Sequence, residues 1–216
     1  MKNSDEAWLR QEIIDTALAM SREGLSPGTS GNVSARWRDG MLITPTGMAY
    51  NDLIPADIAF VDASGQPSGT RKPSSEWRFH LAAYEARADA GAIVHVHSRF
   101  ATALACARKS IPAFHYMVAV VGGNDIPLAD YATFGTPELA RKVAKTLKGR
   151  KACLMANHGQ IACDASLGKA LGLAREVETL AAQYVAALQA GEPHILGDAE
   201  MAEVLERFAG YGQQDG

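Results

Sequence analysis

"GNVSARWRDGMLITPTG", residues 31–47, reads as a β-hairpin: alternating residues run into the turn-forming "RDG" (38–40) and leave it as "MLITPTG". Upstream, "GLSPGTSG" (24–31) is a glycine-rich loop, and before it Trp8, Ile13, Ala17 and Met20 recur at roughly helical spacing, with Gly24 as the stop. Downstream, "DIAFVDASGQPSG" (57–69) is another strand ending in a turn. Pro73 introduces "SSEWRFHLAAYEARA" (74–88), a helix with Trp77, Leu81, Tyr84 and Ala88 on one face and Ser74, Ser75 and Glu76 in its first turn. A strand at 92–97, a helical run at 99–107 and a glycine-broken segment at 111–136 follow. Then come a helix at 137–147, strands at 152–156 and 161–163 around the turn "NHGQ", an Ala-rich helix at 166–190 and a last helix at 198–208. Hairpin-like strand pairs among peripheral helices predict an α/β fold, a three-layer α/β/α sandwich with a largely antiparallel central sheet. No repeat or linker interrupts it, so residues 1–216 are expected to form one domain.

Composition narrows the partners. Lys and Arg total 21 against 24 Asp and Glu with no long block of either sign, which argues against a nucleic-acid surface and for a small solute. The amino terminus is acidic and amphipathic, unlike a secretory signal, and no apolar run is long enough for a membrane span, so a cytoplasmic protein is expected. Cys106, Cys153 and Cys163 form no framework and are read as reduced core residues.

In "AIVHVHSRFA" (92–101), strand alternation turns His95 and His97 to the same side, half of a chelate already set. His158, on the turn after a short apolar strand, is a natural third ligand, and Glu76 is placed to offer an oxygen. Three imidazole nitrogens and one carboxylate oxygen form a tetrahedral set suited to zinc. Separate hydrogen bonds to each ring are the competing solution, and for His80, His115 or His194 alone a satisfied core histidine is the expectation. A metallo-hydrolase of the H-x-H-x-D-H type would need Asp where Arg99 stands, and a cupin-like site would need a Glu soon after the pair, where "SRFATALA" has none. Around these residues lie "GTSGN" (28–32), "TPTG" (44–47) and "SSE" (74–76), each rich in hydroxyl, amide and backbone N–H donors. Ordinary turn and capping chemistry explains any one of them; three together fit a phosphate held by neutral donors.

With those residues in view, the chain resembles the class II aldolase and adducin head superfamily, and within it the fuculose-phosphate aldolases. "GTSGNVS", "DGMLITPTG", "PSSEWRFH", "HVH", "IPAFHYM", "YATFGT" and "NHGQIAC" are similar to family segments in the family's order, over nearly the whole length. The resemblance implies one zinc per chain, with another divalent metal as the alternative, held by His95, His97, His158 and, at rest, Glu76. It implies phosphate held by Gly31, Asn32, Thr46, Gly47, Ser74 and Ser75, and an aldehyde side bordered by Phe134 and Tyr211. Tyr116 would enter from a neighbouring subunit of a cyclic homotetramer and move a proton at the aldehyde oxygen, while Glu76 exchanges the proton at carbon 3. The implied reaction is reversible cleavage of a 2-ketose 1-phosphate to dihydroxyacetone phosphate and an aldehyde, with the metal as Lewis acid. Aldolases of 5-deoxyribulose or 5-methylthioribulose 1-phosphate are the near alternative. Epimerases, which usually carry Asp where Glu76 stands, decarboxylases, dehydratases and a non-catalytic adducin-like head are the remoter ones. Some fuculose-phosphate aldolases carry a second histidine where this chain has Asn157.

Overall fold

The hairpin forms where the turn chemistry places it. In a computed structural model, which describes residues 3–209, β1 (Asn32–Trp37) and β2 (Gly40–Ile43) pair antiparallel from Ser34↔Ile43 to Trp37↔Gly40. Around it assemble β3 (Ala59–Val61), β4 (Pro67–Ser68), β5 (Ala92–Val96), β6 (Leu128–Ala129), β7 (Ala152–Met155) and β8 (Gly159–Asp164). Their spatial order is β4-β3-β2-β1-β5-β8-β7-β6.

The sheet is mixed, with one parallel pairing in an otherwise antiparallel order. Most neighbours run antiparallel, but β6 lies parallel to β7, with Leu128 opposite Leu154 and Ala129 opposite Met155. The reason is the connection: a hairpin reverses the chain, whereas β6 reaches β7 through a helical crossover, α4 (Pro137–Thr146), and so arrives in the same direction. Only two residues long, β6 hides in the glycine-broken segment without a period-2 pattern to betray it.

Helices lie on both faces. Along β5, Ala92, Val94 and Val96 enter a cluster with Ile13 and Ala17 of α1 (Asn3–Arg22), Leu104 of α3 (Arg99–Cys106) and Leu173 and Val177 of α5 (Leu167–Ala190). Ile93 turns the other way, to Phe79, Ala83 and Tyr84 of α2 (Trp77–Ala86) and to Leu139 and Val143 of α4. A last helix, α6 (Asp198–Ala209), packs Met201 against Ala113 and Ala119. The N-terminus of α3 is closed from across the fold, where the Glu178 carboxylate accepts the N–H groups of Phe100 and Ala101 at 2.8 and 2.9 Å.

Several sequence expectations shift by a turn. α2 begins at Trp77, so its buried face is Phe79, His80, Ala83 and Tyr84, while Leu81 is half-buried and Ala88 lies exposed beyond the helix. Trp8 is 62 % exposed, because the inward face of α1 is set by Ile13, Ala17 and Met20. Cys153 and Cys163 are buried and free, but Cys106, the last residue of α3, is exposed. His115 is half-buried and its Nδ1 accepts the Met117 N–H, whereas His194 is exposed; of the three histidines expected in the core only His80 is there.

Candidate active site

Strand register builds the floor of the site. β1 and β5 place Asn32 directly opposite His95, and cross-strand partners share a face, so both side chains point toward the α2 layer. His97, just past the end of β5, points the same way. The turn between β7 and β8 brings in His158. Asn157 takes the left-handed conformation there (φ 54°), which Asn tolerates better than most residues, and the His158 N–H donates to the Met155 carbonyl at 3.0 Å. Gly159 completes the turn, and nothing larger fits: a Cβ would sit 2.4 Å from the Val96 carbonyl oxygen and 3.0 Å from the His97 ring. Glu76 is the residue before α2, in the position of an N-cap, but its carboxylate does not cap the helix. It turns into the site instead. Ser74 and Ser75 consequently lie in the turn ahead of the helix rather than in its first turn, with the Trp77 N–H donating to the Ser74 carbonyl at 3.1 Å.

One ligand atom from each of Glu76, His95, His97 and His158 lies within 4.8 Å of all the others. The three imidazole centroids are mutually 4.9 Å apart with the rings near perpendicular, as ligands converging on one point would be. His95 Nδ1 is 2.8 Å from the Gln160 carbonyl, so it carries the proton, and His95 Nε2 presents its lone pair inward. That Nε2 lies 3.0 Å from His97 Nε2 and 3.2 Å from Glu76 Oε2. Glu76 Oε1 is 2.9 Å from His158 Nε2 but outside hydrogen-bonding geometry, which leaves it buried without a donor. Converging lone pairs around a donorless carboxylate oxygen fit a divalent cation.

Electrostatics points the same way. In the metal-free site burial pushes the Glu76 carboxyl up, but His95 and His158, in their protonated forms, outweigh it and hold it ionised, well below the usual carboxylate range. His97 is lowered to about 3, by burial first and then by its imidazole neighbours, so it stays neutral and able to ligate.

The cluster opens into a cleft of about 420 Å³. Its walls include Gly31, Asn32, Thr46, Gly47, Ser74 and Ser75, which brings all three small-polar segments to one place. Gly31 is obligatory there: a Cβ would stand 2.8 Å from the His95 carbonyl oxygen and from Ser26 Oγ. Phe134, 65 % exposed, also lines the cleft. Tyr131 lines it too, a residue the sequence reading passed over although "YATF" spaces it three before Phe134. Asn32 does more than line the wall: its Nδ2 donates to Glu76 Oε2 at 2.9 Å. Tyr116 is not brought to this cleft. It stands 51 % exposed in a 3-10 turn (Tyr116–Val121), beside a separate depression formed with Val204 and Arg207 of α6. Tyr211 lies outside the described residues.

A convergent metal-ligand set at the mouth of a donor-lined cleft, on a mixed sheet covered by helices, defines a class before any single protein. The chain belongs to the class II aldolase and adducin N-terminal domain family, whose model matches residues 11–185. Among individual relatives it is 54% identical to L-fuculose phosphate aldolase of Escherichia coli (strain K12), over 94% of this chain and 95% of that protein. It is also 54% identical to 5-methylthioribulose-1-phosphate/5-deoxyribulose-1-phosphate aldolase of Rhodospirillum rubrum, over 94% and 92% of the two chains. A solved structure of L-fuculose 1-phosphate aldolase superposes with a TM-score of 0.90 at 42% identity, covering 97% of this chain and 98% of the other.

Proposed function

We propose that this chain, acting as one three-layered domain over residues 1–216, is a metal-dependent aldolase. It reversibly cleaves a 2-ketose 1-phosphate of the L-fuculose 1-phosphate kind to dihydroxyacetone phosphate and an aldehyde. The observation that carries the reading is the His95, His97, His158 and Glu76 cluster opening on a cleft of neutral phosphate donors.

Zinc is the cation best matched to three imidazoles and a carboxylate, and when bound it supplies Lewis-acid stabilisation of the charge that develops on substrate oxygens. Gly31, Asn32, Thr46, Gly47, Ser74 and Ser75 hold the phosphate through amide and hydroxyl hydrogens, orienting the sugar chain toward the imidazoles. Glu76, which would hold the metal at rest, carries the proton at carbon 3: it removes it in condensation and returns it in cleavage. Phe134 and Tyr211 border the aldehyde. Tyr116, whose exposure on its own chain suits service to a neighbour, moves the proton at the aldehyde oxygen across the interface of a homotetramer. The enzyme works in the cytoplasm.

The second reading is an aldolase of 5-methylthioribulose or 5-deoxyribulose 1-phosphate, favoured by the equal identity to the Rhodospirillum rubrum relative. A coupled assay for dihydroxyacetone phosphate over L-fuculose, L-rhamnulose, 5-deoxyribulose and 5-methylthioribulose 1-phosphates decides between the two through relative kcat/KM. Release from none of the four rejects both. Elemental analysis should find close to one zinc per chain, and a protein equally active after chelation would remove the metal from the reading.

A further inference from the structure

Behind Glu76 and Asn32 runs a buried chain of hydrogen bonds, through His80, Ser34 and Tyr84, that the proposed chemistry does not use. Asn32 and Ser34, alternate residues of β1, face His80 and Tyr84, four apart on α2 and therefore on one helix face. His80 is fully buried, with Nε2 2.5 Å from Asn32 Oδ1 and Nδ1 2.7 Å from Ser34 Oγ. Ser34 Oγ is in turn 3.0 Å from the Tyr84 hydroxyl.

Only one direction of donation satisfies every member. The Glu76 carboxylate can only accept, so the Asn32 atom 2.9 Å away must be its amide nitrogen. Asn32 Oδ1 then needs a donor, which fixes the proton of neutral His80 on Nε2. Nδ1 must therefore accept from Ser34, and Ser34 accepts from Tyr84. Reversing Asn32 would set its amide oxygen against the Glu76 carboxylate, an acceptor against an acceptor in a buried setting where such a mismatch is costly.

We propose that His80 is a positioning residue: it locks the Asn32 amide so that its nitrogen permanently faces Glu76 and the cleft. The inference rests on Glu76 being the proton carrier of the aldolase reading. A carboxylate that leaves a metal and returns would otherwise let Asn32 rotate whenever it moved away. With Oδ1 held by His80, one Asn32 hydrogen stays on Glu76 and the other stays available to the phosphate side of the cleft that Asn32 lines. Sequence alone marks His80 only as a core histidine.

Two measurements test this on the metal-loaded enzyme. Nitrogen-15 NMR of the histidines in the wild-type protein should find His80 as the Nε2–H tautomer; an Nδ1–H tautomer overturns the lock whatever the substrate proves to be. Proton exchange at carbon 3 of dihydroxyacetone phosphate, compared at equal metal content, should fall about tenfold in His80→Phe, in line with the usual cost of losing a partner behind a metal site. His80→Gln, which keeps a donor for Asn32 and an acceptor for Ser34, should recover most of that loss. Equal losses in His80→Gln and His80→Phe would reduce His80 to packing and sink the proposal. A wild-type enzyme without exchange or cleavage rejects the aldolase reading, and the tautomer then decides the lock by itself.

Discussion

Glu76 answers to three neighbours at once: two imidazoles that face the candidate metal position and one amide that holds it from behind. A carboxylate so placed can ligate, be displaced and still find a donor, which a base that leaves and rejoins a metal requires. Glu76→Gln should therefore keep most of the bound metal, through the three histidines, while abolishing carbon 3 exchange, because an amide does not take up the proton. Exchange within twofold of wild type would remove Glu76 as the base. His95→Ala should lose metal and activity together, since His95 Nε2 lies 3.0 Å from His97 Nε2 and 3.2 Å from Glu76 Oε2 with its ring oriented by the Gln160 carbonyl; undiminished metal content would contradict that. At this scale the candidate ligands were legible. The H-x-H spacing on a strand and a histidine beside a turn glycine are local signals. The second role of Asn32 was not, since the side chain that contacts it comes from a residue 44 positions away.

Elements deliver those residues by their ends. β5 terminates at Val96, and the chain passes through His97 and Ser98 directly into α3, so the start of α3 anchors the metal-facing strand end. Ser98 does not cap that helix with its own side chain; Glu178 of α5 does. Glu178→Ala would strand two N–H groups at a helix N-terminus and should lower stability by about 1–3 kcal/mol. The urea midpoint measures it, and an unchanged midpoint would show the cap to be worth nothing. Helix and strand centres were readable from periodicity, because a repeat of 3.6 or 2 is written in consecutive residues. Strand β6 was not, because two residues carry no period and its parallel pairing depends on where α4 returns the chain.

Across the whole molecule, burial of neutral imidazoles ties stability to pH. His80 titrates near 3 in the fold, through burial first, against an ordinary value of about 6.5 once unfolded. Between those values the unfolded chain binds the proton and the folded chain does not, so stability is present above pH 6.5 and is lost as pH falls toward 3. The loss from this group reaches at most about 1.4 kcal/mol per pH unit, and in the metal-free protein His97 adds to it in the same direction. Chemical denaturation of metal-free protein from pH 7 to 4 should show a falling midpoint, with a shallower slope in His80→Gln; identical slopes would place the proton uptake elsewhere. Among the described residues no helix is long and apolar enough to cross a membrane.

By itself the sequence determined the hairpin of residues 31–47, the same-face pair of His95 and His97, the histidine turn after β7 and three donor-rich loops. Each rests on alternation, helical period or turn chemistry among residues a few positions apart. Tertiary structure alone decided that Glu76 leaves α2 uncapped to enter the site, that Tyr131 shares the cleft with Phe134, and that Trp8 faces outward. It also decided that His80 stands behind Asn32. The physical reason is the same each time: side chains on separate elements meet only after the two faces of the sheet have been covered, and no local pattern records which helix turn will lie over which strand residue.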